Sequence, residues 1–257
     1  MSLGVTVTRS ANGEVIHFAL QGRTAINLIG SQTLRLGSAQ IREHADDPAL
    51  RCAVLTGTTP ANFIGGADLK ELGALTPETA EAFIRSIHDF CVALREFPVP
   101  VIARVAGHCL GGGLEIAAAC DMRVAADDSH FGMPEVRVGV PSVIEAALLP
   151  SLIGWGRTRE LLLRGHLIDA KTAERIGLVE QLAAGSDLDA LLETMTNDIR
   201  AGAPGAIRAQ KRLMQRWEQL PLAAAIEAGV GAFVASYASS EPADYVARFF
   251  ASRAKPE

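Results

Sequence analysis

The sequence predicts an α/β fold, with a core of mostly parallel strands followed by a helical region. Three observations predict it. Short continuous apolar runs, Cys52-Ala53-Val54-Leu55-Thr56-Gly57 and Val99 to Val105, each lead into a glycine-rich stretch, as buried parallel strands do. The strand, helix, strand order between Val99 and Ala126 calls for right-handed crossovers. From Asp187 onward the pattern is almost wholly helical, and this shift sets the expected division: 1–195 as the α/β core carrying the site, 196–257 as a helical region.

Taken in order, Val5-Thr6-Val7-Thr8 and Val15 to Leu20 are β-rich runs separated by Ala11-Asn12-Gly13-Glu14, whose Asn-Gly predicts a hairpin. After a polar turn at Gln21-Gly22-Arg23-Thr24, Ser31 is placed to cap a helix bearing Leu34, Leu36, Ile41 and Ala45 and ended by Asp46-Asp47-Pro48. The loop from Thr58 to Lys70 contains Phe63-Ile64-Gly65-Gly66-Ala67-Asp68-Leu69-Lys70, where glycines let a backbone N–H approach a ligand. Pro77 opens a helix with the stripe Phe83, Ile87, Cys91 and Leu94, which Pro98 and Pro100 end. Met122 to Ala126 reads as a strand. Ser142 and Glu145 fit a capping box for a helix through Leu152. Arg157 to Arg164 and Ala170 to Arg175 read as short helices and Leu178-Val179-Glu180 as a small strand. Four helices follow over 187–201, 204–219, 222–238 and 242–254, separated by Gly202, Pro204, Pro221 and Pro242.

Composition narrows the function classes. The 257 residues are 49% hydrophobic and 21% charged, an ordinary globular balance. The net charge of −5 and the absence of a Lys/Arg block argue against a nucleic-acid partner. No segment approaches the roughly 20 uncharged apolar residues of a membrane span, and no basic-then-apolar leader opens the chain, so the expectation is a soluble cytoplasmic protein without a membrane partner. Cys52, Cys91, Cys109 and Cys120 lack C-x-x-C spacing and sit in apolar segments, as buried free thiols do, so neither disulfides nor a metal site is expected.

The chemistry concentrates between Gly107 and Glu135. Gly107-His108-Cys109-Leu110-Gly111-Gly112-Gly113-Leu114-Glu115 opens an alanine-rich helix, whose first N–H groups lack partners and whose dipole favours negative charge. Glu115 lies one turn in, and Phe131-Gly132-Met133-Pro134-Glu135 brings a second acid. Two acids and a bare helix end point to proton chemistry beside a polarised carbonyl. The glycine spacing is not that of a dinucleotide site, and no P-loop or G-x-S-x-G elbow is present. Plainer readings stand beside these: glycines for close helix packing, Glu115 as a complement to the dipole, Glu135 as a solvated acid, His108 as a packed residue and Glu145 as a cap. The apolar neighbours Leu114, Ile116, Phe131, Met133 and Val136 favour burial of both acids, which is costly unless they are paired, protonated or functional.

Phe63 to Glu71, Gly107 to Glu115 and Phe131 to Glu135 resemble the three motifs of the crotonase superfamily in its enoyl-CoA hydratase branch, and the resemblance extends over essentially the whole chain. It implies a spiral of repeated ββα units with a C-terminal helical region for oligomer contacts, in a homotrimer or dimer of trimers. It implies hydration of the C2=C3 bond of a 2-trans-enoyl-CoA, with no cofactor apart from the coenzyme A of the substrate. The N–H groups of Ala67 and Gly112 would form an oxyanion hole, Glu115 would activate water and Glu135 would protonate C2, with Glu115 the ionised partner because of its place in the first helical turn. Gly66, Asp68, Leu69, Gly111, Ala25 and Pro134 would line the bound thioester. Arg23 and Lys70, and more weakly Lys255, would meet the anionic coenzyme A, with solvated surface charge as the alternative. After the second acid the usual small-residue segment is replaced by Pro141-Ser142-Val143-Ile144-Glu145-Ala146-Ala147, so Val143 and Ile144 would reshape the acyl pocket and Glu145 is a candidate third acid. Other readings are Δ3-Δ2 enoyl-CoA isomerisation and a catalytically idle acyl-CoA-binding homologue.

Overall fold

The structure, a computed structural model, describes residues 4–59 and 61–253. It begins with the expected hairpin, β1 (Gly4–Arg9) antiparallel to β2 (Val15–Gln21). From β2 the chain repeats one unit: a long strand, a short strand, then helix. β2 is followed by β3 (Leu28–Ile29) and α1 (Ser31–Arg42); β4 (Cys52–Gly57) by β5 (Gly66–Ala67), α2 (Leu69–Gly73) and α3 (Pro77–Arg95). β6 (Val101–Val105) is followed by β7 (His108–Leu110) and α4 (Gly112–Ala119), and β8 (Met122–Ala126) by β9 (His130–Gly132) and, after two 3-10 turns, α5 (Leu149–Arg164). Then come β10 (Leu167–Asp169), α6 (Ala170–Arg175), β11 (Gln181–Ala183), α7 (Leu188–Ala201), α8 (Pro204–Trp217), α9 (Leu222–Ser236) and α10 (Glu241–Arg253).

The long strands form one sheet in the order β1-β2-β4-β6-β8-β11, parallel from β2 onward, so each turn of the spiral adds one strand. The central strands β4, β6 and β8 are buried on both faces, which is why they read as continuous apolar runs. Ala53 and Leu55 of β4 join Val101, Ala103 and Val105 of β6 beneath α1, α3 and α4. Cys52, Val54 and Ile102 face the other way, against Leu188 and Leu192 of α7. The short strands make a second layer: β3 pairs with β5, β7 with β9 and β9 with β10, and a bridge from Ile64 to Cys109 joins the two groups.

Several local expectations are corrected. Ser31 is the first residue of α1 and not its cap; Gly30 takes that position, and the Ser31 N–H donates to Glu71 Oε2 at 3.0 Å. The helix ends at Arg42, before the acidic pair. Strands β7 and β9 are three residues each, too short for a periodic pattern in the sequence. The Ser142/Glu145 capping box does not form: Ile144–Leu148 is a 3-10 turn with Val143 at its cap position and no side-chain cap. Arg157 to Arg164 is the second half of α5, which is interrupted at Gly154 (φ 73°). Leu178 and Val179 are core residues following the Gly177 turn, and the strand begins at Gln181.

One buried cation anchors the helix that carries the site. Arg123 is 2% exposed, and its Nη1 donates to the carbonyls of Ala117 and Cys120 at the C-terminal end of α4 (3.2 and 3.1 Å). Its Nε reaches Leu178 O at 2.8 Å, and Glu180 accepts from Nη2 at 2.5 Å. A cation at a helix C-terminus complements the dipole and satisfies carbonyls that lack intrahelical donors. Arg123→Met is therefore expected to lower stability by about 3 kcal/mol, read as a fall in the urea midpoint.

Candidate active site

The two glycine-rich stretches meet through backbone pairing. Ile64 N–H donates to His108 O and Leu110 N–H to Ile64 O, both at 3.1 Å, which clamps the 63–67 segment beside β7 and the start of α4. Asp68 N–H donates to Ile29 O at 2.8 Å. Successive amides of an extended chain alternate in direction, so the Ala67 N–H faces the opposite edge. Gly112 opens α4, and its N–H has no intrahelical acceptor. The structure thus brings together the two sequence segments, far apart in the chain, whose N–H groups the sequence singled out.

Gly111 sits at the N-cap of α4 with φ 52° and ψ −125°, a conformation that favours glycine. A Cβ there would run into Glu135 Oε1, so the second acid lies directly over the helix end. Glu135 follows Pro134 in the 3-10 turn Glu135–Arg137. Its Oε2 accepts from Ser142 Oγ at 2.9 Å. Burial raises its pKa, while the Ser142 hydrogen bond opposes the rise.

Glu115 is the more deeply held acid, 4% exposed in the first turn of α4. Its Oε1 accepts from Ala146 N–H at 3.2 Å. Burial first, then the neighbouring Glu135 carboxylate, pushes its pKa up to about 8, against the help of the Ala146 and Val143 amides. The dipole alone favours the anion at this position, but desolvation outweighs it, so the fold favours the protonated form of Glu115. Two close acids in one apolar pocket titrate as a pair.

The other named residues divide into two groups. Gly66 (φ 115°) and Ala67 form β5, while Leu69 and Lys70, in the first turn of α2, are exposed. Asp68 is buried and caps α2 through Lys70 N–H at 2.9 Å. Its Oδ2 also pairs with Arg23 Nη1 at 3.2 Å, so the exposed Arg23 is tied to the oxyanion segment. Ala25 is exposed and its carbonyl accepts from Asn62 Nδ2 at 3.0 Å. Val143 is exposed at the head of the second 3-10 turn. His108 stacks on His130 with ring centroids 5.9 Å apart and lies 3.4 Å from Asn62 Oδ1, a packed position. Lys255 lies outside the described residues.

Ser142 and His88 were not singled out as site groups by the sequence. Ser142 carries a turn signal that equally fits a cap, and only the fold turns it toward Glu135. His88 lies one position past the buried stripe of α3, and nothing local marks its contact with Glu145, 57 residues away. Ile144, between Val143 and Glu145, has φ 33°, a left-handed value that costs a β-branched residue on the order of 1–3 kcal/mol. Such strain is held by surrounding structure and concentrates where side chains are aimed. Removing the Ser142 donor disfavours the Glu135 anion. Ser142→Ala is expected to raise the pH at which Glu135 ionises, measured as a displaced limb in the pH–rate profile.

Comparison with known proteins shows the family. Residues 10–256 match the family model described as enoyl-CoA hydratase/isomerase. The chain is 36% identical over 200 residues to a putative enoyl-CoA hydratase/isomerase, YngF, of Bacillus subtilis, covering 77% of each chain. It is 30% identical over 242 residues to a short-chain-enoyl-CoA hydratase of Clostridium acetobutylicum, covering 94% of this chain and 93% of the relative. The crystal structure of an enoyl-CoA hydratase of Mycobacterium smegmatis superposes with a TM-score of 0.92 at 26% identity, over 100% of this chain and 99% of that one. With the ββα spiral, the family match over nearly the whole length and the acid pair over a glycine-rich helix end, this chain belongs to the enoyl-CoA hydratase/isomerase family of the crotonase superfamily.

Proposed function

We propose that the protein hydrates 2-trans-enoyl-CoA thioesters to 3-hydroxyacyl-CoA. The carrying observation is the placement of the Glu135 carboxyl over Gly111, at the end of the helix that holds Glu115, beside the Gly112 N–H that has no intrahelical acceptor. The thioester oxygen accepts from the N–H groups of Ala67 and Gly112, which stabilise the negative charge that builds on it as the double bond is attacked. A water lies between the two acids. One carboxylate takes its proton as the oxygen bonds C3, and the other acid delivers a proton to C2 from the same face.

In this reading Glu115 is the base and Glu135 the donor, which requires the shared proton to stand on Glu135. Glu135 is the less buried of the two, and an acyl chain lying over it removes the water that stabilises its anion. Substrate binding thereby shifts the proton from Glu115 toward Glu135. Lys70 and Arg23, flanking the Gly66–Ala67 strand, meet the coenzyme A phosphates, and the coenzyme arrives with the substrate, so no separate cofactor takes part. The exposed apolar residues Leu222, Ile226, Val230, Phe233 and Phe250 on α9 and α10 support self-association through the helical region 196–257, as a trimer or dimer of trimers; sedimentation velocity reading a monomer would remove this part. No single helix among the described residues is long and apolar enough to cross a membrane, and the four cysteines are free and buried, which fits a reducing cytoplasm.

Loss of the conjugated thioester absorbance on adding the protein to crotonyl-CoA or longer enoyl-CoAs, with 3-hydroxyacyl-CoA as product, is the expected result. A Δ3-enoyl-CoA that gains conjugation, with no hydration of the Δ2 thioester, would replace hydration with isomerisation. No change with either class would overturn both.

A further inference from the structure

Glu145 has no capping task, yet it is 7% exposed. Its Oε1 lies 2.8 Å from Nδ1 of His88 on α3, whose side chain is 43% exposed. Its Oε2 is buried with no hydrogen-bond partner among the described residues. One turn along α3 from His88, the buried Cys91 faces both Glu145 and Glu115, and burial together with these two carboxylates holds its thiol protonated. Ala146, the next residue after Glu145, donates its N–H to Glu115, so the two acids are joined through a single stretch of backbone. The strained Ile144 immediately before it fixes the direction of that stretch.

A half-satisfied buried carboxylate is an expensive way to fill space, since an apolar residue of similar size would pack there without desolvating a charge. Its position behind Glu115 supplies a reason for its presence. We propose that Glu145 is the third carboxylate of the site, a positioning residue that acts through Glu115: held by His88, it places negative charge behind Glu115 and so keeps the shared proton within the reacting pair. The titratable groups facing this centre are Glu135 from the first 3-10 turn, Glu145 from the second, and His88 and Cys91 from α3. Of these, His88 alone can bring positive charge. In agreement with the geometry, the Glu145 carboxylate is among the causes that raise Glu115.

The proposal rests on the hydratase reading only for what the shared proton does; the coupling between the acids needs no turnover. It is tested by titrating the full chain labelled with 13C at the glutamate side-chain carboxyls, with the Glu115 resonance assigned from its loss in Glu115→Gln. Glu145→Gln keeps the shape and an acceptor toward His88 but removes the charge. The midpoint for Glu115 is expected to fall by about half a pH unit or more, and the alkaline limb of kcat for crotonyl-CoA to move to lower pH by the same amount, with KM little changed. An unmoved Glu115 midpoint in folded Glu145→Gln overturns the proposal. Should that variant not fold, His88→Arg, at a half-exposed position, sets a permanent cation against Glu145 and is likewise expected to lower the midpoint; no shift overturns the proposal equally. A wild-type protein that hydrates no enoyl-CoA while Glu145→Gln still lowers the Glu115 midpoint would sink the hydratase reading and leave the coupling standing.

Discussion

Glu115→Gln is expected to lower kcat for enoyl-CoA hydration by about 10³-fold, with KM changed little. The amide keeps an oxygen to accept from Ala146 N–H, so the second 3-10 turn and the helix end stay in place, but it cannot take a proton from water. Glu135→Gln removes the other half of the same proton exchange and is expected to act as strongly, and the double variant not much more, because the pair works as one unit. The stability effect has the opposite sign. Glu115 ionises only near 8 in the folded chain and at ordinary carboxylate pH in the unfolded one, so folding holds a proton that unfolding releases. Wild-type stability from this group is fully present below the unfolded-state value and falls as the pH rises from there through about 8. Glu115→Gln, neutral throughout, is expected to show a shallower decline and a higher Tm than wild type at pH 8. An active variant, or one whose Tm falls with pH as steeply as wild type, would remove Glu115 from this role.

The features of this site that were legible in the sequence are those written in local chemistry. Glycines before an alanine-rich helix, an acid one turn in and a second acid among apolar residues are contiguous patterns, and the helix end and the burial of Glu115 follow from them. The buried strands and terminal helices were legible for the same reason, since length and apolar period suffice. What was not legible depends on which distant segment packs against which. Ser142 and Glu145 carry the spacing of a capping box, and only the left-handed Ile144 and the 3-10 turn after it show that neither caps. The raised pKa of Glu115 was not legible because the helix dipole is local whereas desolvation is set by the whole fold, and here desolvation is larger. Strands β7 and β9 have no local signature because they are held by pairing with each other and with β10 and not by their own residues.

Gly112→Pro is expected to lower kcat by about 10²- to 10³-fold while leaving the fold intact. Proline is well tolerated at the first position of a helix, where its missing N–H has no intrahelical acceptor to lose. At Gly112 that N–H is the donor assigned to the thioester oxygen, so the substitution deletes one hydrogen bond to the developing enolate and sets the ring Cδ where its hydrogen pointed. Space is available, because a Cβ would sit 3.4 Å from Ile87 Cδ1, an ordinary contact. The preceding Gly111 also relaxes the restriction that proline imposes on the residue before it. Gly112→Ala supplies the matching control: it adds the same first carbon but keeps the N–H, and is expected to retain most of the wild-type rate. If the loss came from crowding against Ile87, the alanine variant would share it. If the thioester oxygen were polarised from elsewhere, the proline variant would turn over at the wild-type rate. Loss of the donor predicts that the two variants separate, and that they do so in kcat more than in KM, because the bond removed strengthens as charge reaches the oxygen.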